Sequence, residues 1–188
     1  MRIILASKSN VRKDILKRNN VECEVVHSNV DEDLAKESFI AVGADPLTIS
    51  KNLAELKSTK VSSKFPNEIV LGADSVVSLQ NQLINKPKSR SEALEILKKL
   101  NGSKHHLISS VCISKNGSMI WNYTNSSELI MKKLDNDFLK TYLEKIKTDV
   151  IKFLLNLNVV VSQEKKVENK TGSKIPENCL LNLMKDQK

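Results

Sequence analysis

Aromatic residues, glycine and cysteine are all scarce in this chain of 188 residues. Aromatic residues make up 4% of it, too few for the base-stacking surface of a single-strand-binding protein, so the core must consist mainly of Ile, Leu and Val. The five glycines form neither a Walker-type phosphate loop nor a dinucleotide-binding fingerprint, and no glycine-flanked nucleophilic serine is present. The three cysteines, Cys23, Cys112 and Cys179, lack metal-ligand spacing, and their odd number favours a reducing compartment.

Long hydrophobic runs are absent as well. The longest apolar stretch, residues 150–161, is interrupted by Lys152, Asn156 and Asn158, so the sequence predicts no membrane-spanning segment. The apolar run at residues 3–6 is too short for the core of a secretory signal peptide. We therefore expect a cytoplasmic protein.

The net charge of the chain is positive. The chain has 30 Lys and Arg against 22 Asp and Glu, which gives a formal net charge of +8 at pH 7. Such an excess suits an anionic partner, whether a nucleotide, a nucleic acid or a membrane surface. The basic residues are dispersed, however, and this dispersion together with the shortage of aromatic residues argues against a nucleic-acid-binding module.

Strand and helix patterns alternate along the first three quarters of the chain. The predicted elements are strands over residues 2–6, 22–27, 68–79, 106–114 and 119–131, helices capped by Ser7 or Ser9, by Ser89 and by Asp135, and a helix that starts at Pro46. Asn116-Gly117 between the last two strands indicates a β-hairpin. This order predicts an α/β fold with a mixed, twisted sheet flanked by helices, in which ligands bind in a cleft beyond the strand ends.

A candidate anion site follows the first strand, at residues 7–12 (Ser-Lys-Ser-Asn-Val-Arg). The free N–H groups of a helix N-terminus attract anions, and Arg12 adds a forked donor that matches phosphate oxygens. A capped surface helix with solvated basic residues explains the same pattern. The local sequence leaves both interpretations open.

Asp74 lies inside the most apolar predicted strand. Burial of a carboxylate is costly unless it is paired or bound to a metal, and the small residues Gly72 and Ala73 would let another group approach closely. Asp74 would then hold Mg²⁺ against a triphosphate or activate a water molecule. The alternative is a structural Asp that is paired with a nearby lysine.

Three further charged segments are candidates of lower specificity. Lys86 follows a hairpin strand, and Lys57 lies beside the apolar stripe of the helix that starts at Pro46. Residues 31–33 (Asp-Glu-Asp) offer carboxylates in a predicted loop, where they would ligate a metal or simply be solvated. Taken singly, each lysine is equally well explained as a solvated surface charge.

The order of these motifs is more specific than any one of them. The succession is Ser7-Lys8-Ser9 with Arg12, then Asp31-Glu32, Leu53-Ala54-Glu55-Leu56-Lys57, Gly72-Ala73-Asp74-Ser75, Lys86-Pro87 and Leu100-Asn101-Gly102 with His105. It resembles the Maf family of nucleoside triphosphate pyrophosphatases. The resemblance covers residues 1–145, and residues 146–188 form a divergent C-terminal segment of the same domain.

The resemblance implies a two-lobed fold with a central cleft and a homodimer, while the interrupted apolar runs of the sequence predict that no membrane is a partner. It also implies hydrolysis of nucleoside triphosphates, including modified or pyrimidine nucleotides such as 7-methyl-GTP, dTTP and UTP, to a monophosphate and pyrophosphate with Mg²⁺ or Mn²⁺. The implied roles are catalytic for Asp74, Glu32, Lys57 and Lys86, substrate-binding for Ser7, Arg12 and Ser75, and metal-binding for Asp74 and Glu32.

Two departures from the family pattern keep a second function open. Asn10 and Val11 stand where the family has Pro-Arg, so one phosphate-binding arginine is missing. Residues 151–188 lack the Gly/Tyr-rich segment and the Gly-Leu-Pro ending of the family. The alternative is therefore a nucleotide-binding regulatory protein with weakened catalysis.

Overall fold

The computed structural model of the chain describes residues 2–145 and 165–166. The elements are β1 (Ile3–Leu5), α1 (Asn10–Arg18), β2 (Glu24–Val25), α2 (Glu32–Ala41), α3 (Pro46–Ser62), β3 (Ile69–Leu79), β4 (Gln82–Ile84), α4 (Arg90–Leu100), β5 (Lys104–Lys115), β6 (Ser118–Ile130), α5 (Asn136–Lys145) and β7 (Lys165–Lys166). The predicted α/β fold with a mixed sheet is confirmed. Among the helices in the described ranges, none has both the length and the apolar character that crossing a bilayer requires.

The sheet has a break on one side of its central strand, β3. Its strand order is β2-β1-β3-β5-β6-β7, and β5 pairs antiparallel with β3 along residues 70–78. On the other side, β1 pairs in parallel with residues 69–71, and β4 pairs antiparallel with residues 77–79. Residues 72–76 of β3 therefore have no strand partner on that side within the described part of the chain. This interruption separates two lobes and contains Asp74.

Each lobe has its own hydrophobic core. In the first lobe, Ile4 of β1, Val61 of α3 and Val70 of β3 pack together, and Leu5, Leu71 and Ile113 form a neighbouring cluster. In the second lobe, the core lies between α4 and α5 and includes the buried residues Ala93, Ile96, Leu97, Leu100, Met131, Leu139 and Leu143. β3 contributes residues to both lobes, since Val70 and Leu71 lie in the first core and Val77 and Leu79 pack against the second.

The predictions about where helices start have different outcomes. Ser9 caps α1 by accepting a hydrogen bond from Arg12 N, and Ser89 caps α4 by accepting one from Glu92 N, as predicted. The loop predicted at residues 31–33 is wrong, because Asp31 accepts a hydrogen bond from Leu34 N and starts α2 at Glu32. The positive end of the helix dipole also stabilises a carboxylate at this position.

Gly72 lets α3 lie unusually close to β3. A Cβ atom at this position would overlap with the carbonyl oxygen of Ala54 and would lie 2.8 Å from both the Cβ and the backbone N of Ser58. Side chains alternate along a strand, so residues 72 and 74 project from the same face of β3, toward α3. The missing side chain thus helps to bring Lys57 on α3 within reach of Asp74.

We expect Gly72→Ala to lower the free energy of unfolding by about 1–3 kcal/mol, because overpacking against backbone atoms is relieved only by moving a helix. Denaturant unfolding would measure the change. Gly43→Ala is the matched control: its Cβ would meet no atom within 4 Å, so only its φ of +77° opposes the substitution, at about 1 kcal/mol. Equal losses in the two variants would contradict the close-packing argument.

Candidate active site

The turn between β1 and α1 is held by its own serines and by Arg12. Ser7 Oγ accepts hydrogen bonds from Ser9 N (3.1 Å) and from Arg12 Nη1 (3.3 Å). Ala6 N donates to the Leu71 carbonyl oxygen, which places this turn beside the break in the sheet. Burial lowers the pKa of the Arg12 guanidinium, and the carboxylates of Asp74 and Glu32 act in the opposite direction. Arg12 is thus a partly desolvated cation that faces two acids.

Lys57 bridges the two acids from the middle of α3. Its Nζ lies 2.7 Å from Asp74 Oδ1 and 2.9 Å from Glu32 Oε1. The side chains of Lys57 and Asp74 are only 5% and 6% exposed, whereas that of Glu32 is 36% exposed. Lys57 is therefore a buried counter-ion and not the surface charge that the sequence left open. The pairing of Asp74 with a lysine, which was the structural alternative, is also present.

The remaining oxygen of Asp74 is what distinguishes this pair from an ordinary buried ion pair. Asp74 Oδ2 is buried and has no hydrogen-bond partner among the described residues. Buried carboxylate oxygens are normally satisfied, so an exception calls for a physical reason, such as a catalytic role or a bound water or ion. The structure thus leaves one acceptor of the central acid available.

The two acids have different proton affinities. Burial is the largest influence on Asp74 and raises its pKa above the ordinary value, although Lys57 opposes this. Burial is also the largest single influence on Glu32, but Lys57, Lys86 and Lys36 together hold its pKa below the ordinary value. Glu32 is therefore the more firmly ionised group, while Asp74 is the better proton acceptor of the two.

All seven predicted site residues line one cavity of about 390 Å³ at the break in the sheet. They are Ser7, Arg12, Glu32, Lys57, Asp74, Ser75 and Lys86. Lys86 is exposed and follows β4, so the second lobe contributes it to the cavity. Ser75 Oγ lies 3.0 Å from Ser109 Oγ on β5, which fixes that hydroxyl. The structure thus brings the whole predicted set together in one cavity.

Sequence reasoning missed Lys36 and the segment 28–30, which also line the cavity. Lys36 lies four residues after Glu32 on α2, and residues at this spacing share one face of a helix. The signal was available, but it could not be used while residues 31–33 were predicted to form a loop. Residues 28–30 carry no pattern that would have singled them out.

The comparison with protein families decides the classification. The family model described as Maf-like protein matches residues 2–151. The chain belongs to the Maf-like protein family. The match includes every residue that lines the cavity, because these lie between Ala6 and Lys86.

Several relatives of this Maf-like protein carry functional names. A nucleoside triphosphate pyrophosphatase of Pelagibacter ubique is 60% identical over 144 residues, which are 77% of this chain and 74% of that protein. A nucleoside triphosphate pyrophosphatase of a Ruegeria species is 38% identical over 76% of this chain and 72% of its own length. A 7-methyl-GTP pyrophosphatase of Brucella abortus is 30% identical over 78% of this chain and 73% of its own length.

Proposed function

We propose that this Maf-like protein hydrolyses nucleoside triphosphates, including modified or pyrimidine nucleotides, to a nucleoside monophosphate and pyrophosphate. The observation that carries the proposal is the cavity in which a buried carboxylate with an unsatisfied oxygen, Asp74, lies among five cationic residues. These are Lys8, Arg12, Lys36, Lys57 and Lys86. The names of the relatives support the same reaction.

The charges of the cavity suit a polyphosphate. The lining holds five cationic residues against two carboxylates, Glu32 and Asp74, so the cavity is positive overall. In addition, α1 begins at Asn10 in the cavity lining, and the N-terminus of a helix attracts anions. We propose that Ser7, Arg12 and Ser75 bind the substrate, and that Lys57 and Lys86 stabilise the charge that develops on the leaving pyrophosphate.

Asp74 is the proposed general base. Its Oδ2 accepts a proton from a water molecule whose oxygen attacks the α-phosphorus, while the bond to the β-phosphate bridging oxygen breaks and pyrophosphate leaves with that electron pair. Lys57 keeps Asp74 Oδ1 fixed at 2.7 Å and so orients Oδ2. The raised pKa of Asp74, caused mainly by burial, brings its basicity closer to the operating pH.

The residues present also fit a divalent cation. Glu32 and Asp74 both form ion pairs with Lys57, and Asp74 Oδ2 has no hydrogen-bond partner among the described residues. Mg²⁺ is commonly held by one or two carboxylates together with substrate phosphates. The described residues contain no group of three or more His, Cys, Asp or Glu that would form an all-protein cage. When bound, Mg²⁺ or Mn²⁺ would neutralise phosphate charge. The homodimer and the cytoplasmic location stay predictions.

Pyrophosphate release from a panel of triphosphates tests the proposal. We expect turnover of at least one of dTTP, UTP and 7-methyl-GTP with Mg²⁺ or Mn²⁺, with monophosphate and pyrophosphate as the products and loss of activity in a chelator. Products of nucleoside diphosphate and phosphate would contradict it. Saturable nucleotide binding by folded protein without any turnover would instead support the nucleotide-binding regulatory protein, in which Val11 replaces a phosphate-binding arginine.

A further inference from the structure

Lys36 is a cation of the cavity that the fold leaves without a protein partner. It lies on the same face of α2 as Glu32, one turn later, and it lines the cavity. Glu and Lys at this spacing commonly pair with each other, yet here Glu32 Oε1 bonds to Lys57 Nζ at 2.9 Å. Within the described residues, the side chain of Lys36 forms no ion pair and no hydrogen bond. Its ammonium group is therefore available to a ligand.

The cations of the cavity lie around two different acids. Besides burial, which is the largest influence on both, the charges that act on the pKa of Glu32 are Lys57, Lys86 and Lys36, in that order. For Asp74 they are Lys57, Glu32 and Arg12, and Arg12 in turn is influenced more by Asp74 than by Glu32. The geometry that supports this grouping is that Lys57 Nζ contacts both acids, while Lys36 lies on α2 one turn after Glu32 and lines the same cavity.

In-line hydrolysis gives the charged groups of the cavity different tasks. The attacking water and the leaving group lie on opposite sides of the reacting phosphorus. If Asp74 activates the water, the leaving pyrophosphate extends away from Asp74. A lysine that lines the cavity without an ion pair, such as Lys36, is then able to bind the phosphates beyond the scissile bond.

We propose that Lys36 binds the leaving pyrophosphate and thereby makes the site select triphosphates over diphosphates. This inference rests on the proposed function, since it assigns one more residue to the same reaction. Lys36 reaches the cavity from α2, whereas Lys86 reaches it from the loop after β4. The distal phosphates would therefore be held between the two lobes.

The test compares Lys36→Met with Lys17→Met, an exposed lysine of α1 that lies outside the cavity lining. Calorimetry with inorganic pyrophosphate and with a nucleoside monophosphate measures binding without any turnover. For Lys36→Met we expect roughly 10- to 100-fold weaker pyrophosphate binding, the usual loss for a hydrogen bond to a charged group, with unchanged monophosphate binding. Lys36→Arg should retain pyrophosphate binding, and Lys17→Met should behave as wild type.

Kinetics provide an independent measure. The ratio of kcat/KM for a triphosphate to that for the matching diphosphate should fall by the same factor in Lys36→Met, mainly through KM. Unchanged pyrophosphate affinity would overturn the proposal, as would an equal loss of monophosphate affinity. A shifted pH profile with normal pyrophosphate affinity would also overturn it, because Lys36 would then act only through Glu32. If the proposed reaction itself failed, the pyrophosphate calorimetry would still decide the role of Lys36.

Discussion

Asp74→Asn is expected to lower turnover by about 10²- to 10⁴-fold, the range for loss of a general base, and to leave the fold intact. Asparagine has nearly the shape of aspartate, and its Oδ1 can still accept the hydrogen bond that Lys57 Nζ now donates at 2.7 Å. What it lacks is the ability to take a proton at the position of Oδ2, which has no partner among the described residues. Steady-state pyrophosphate release measures the effect.

Two controls separate chemistry from structure in that experiment. Asp14→Asn removes an exposed carboxylate of α1 that lies outside the cavity lining, and its rate should match wild type. Thermal unfolding of Asp74→Asn should still show one cooperative transition, because Lys57 keeps its ion pair with Glu32 at 2.9 Å, although the lost charge of Asp74 lowers the melting temperature. A nearly normal rate would exclude Asp74 from the mechanism, whereas a lost rate without a cooperative transition would indicate structural damage.

Lys57→Met should destabilise the metal-free protein by about 3–5 kcal/mol at neutral pH, the usual cost of removing one partner from a buried ion pair. Methionine retains most of the packing of the lysine chain, so the loss reports the charge. Without Lys57, the carboxylates of Asp74 and Glu32 would repel each other, and the Asp74 side chain is only 6% exposed. Denaturant unfolding in a chelator measures the change.

The pH dependence of this loss has a definite sign. Burial already raises the pKa of Asp74, and removal of Lys57 raises it further, so the folded variant binds a proton more tightly than its unfolded chain does. As the pH rises above the ordinary value of about 4, the unfolded chain ionises first and unfolding becomes easier. The deficit of Lys57→Met should therefore be small in acid and grow toward neutral pH. A deficit that is independent of pH would contradict this.

A double variant identifies the source of the instability. In Lys57→Met/Asp74→Asn no buried charge remains at position 74, so most of the lost stability should return. If the double variant is as unstable as Lys57→Met alone, the alkyl chain of Lys57, and not its charge, is what stabilises the contact between α3 and β3.

Much of the site was predictable because its residues lie in short motifs whose order is distinctive. The sequence identified Asp74 as an acid in an apolar strand and left open whether it paired with a lysine or carried chemistry. The structure has the pairing with Lys57 and the unsatisfied oxygen together. A linear sequence cannot separate these alternatives, since they depend on which atoms of two distant segments meet.

Helix α2 was missed because its pattern contradicts the usual rule for helices. Its inward side carries the charged Glu32 and Lys36, while the apolar Leu34 and Ile40 are 61% and 48% exposed. A helix that lines a polar cavity therefore has the wrong periodicity for a search based on apolar residues. The break in the sheet was equally hidden, because it depends on β1 and β4 sharing one side of β3.

The predictions for the end of the chain concern a different region. The sequence has an apolar run at residues 159–161 and predicts a short helix around residues 178–184. Both segments lie outside the described residues, so the helix stays a prediction. The match to the family, which ends at residue 151, also stops short of them.

The close contact at Gly72 limits how this sequence can diverge. Any side chain at this position would push α3 away from β3, and these two elements carry the nitrogen and the oxygen that lie 2.7 Å apart in the ion pair of Lys57 with Asp74. An uncharged side chain at position 72 would thus impair the site by separating Lys57 Nζ from Asp74 Oδ1. Because two of the three atoms that a side chain would meet belong to the backbone of α3, no substitution at Ala54 or Ser58 would make enough room, and a lineage that loses this glycine would have to shift the whole helix.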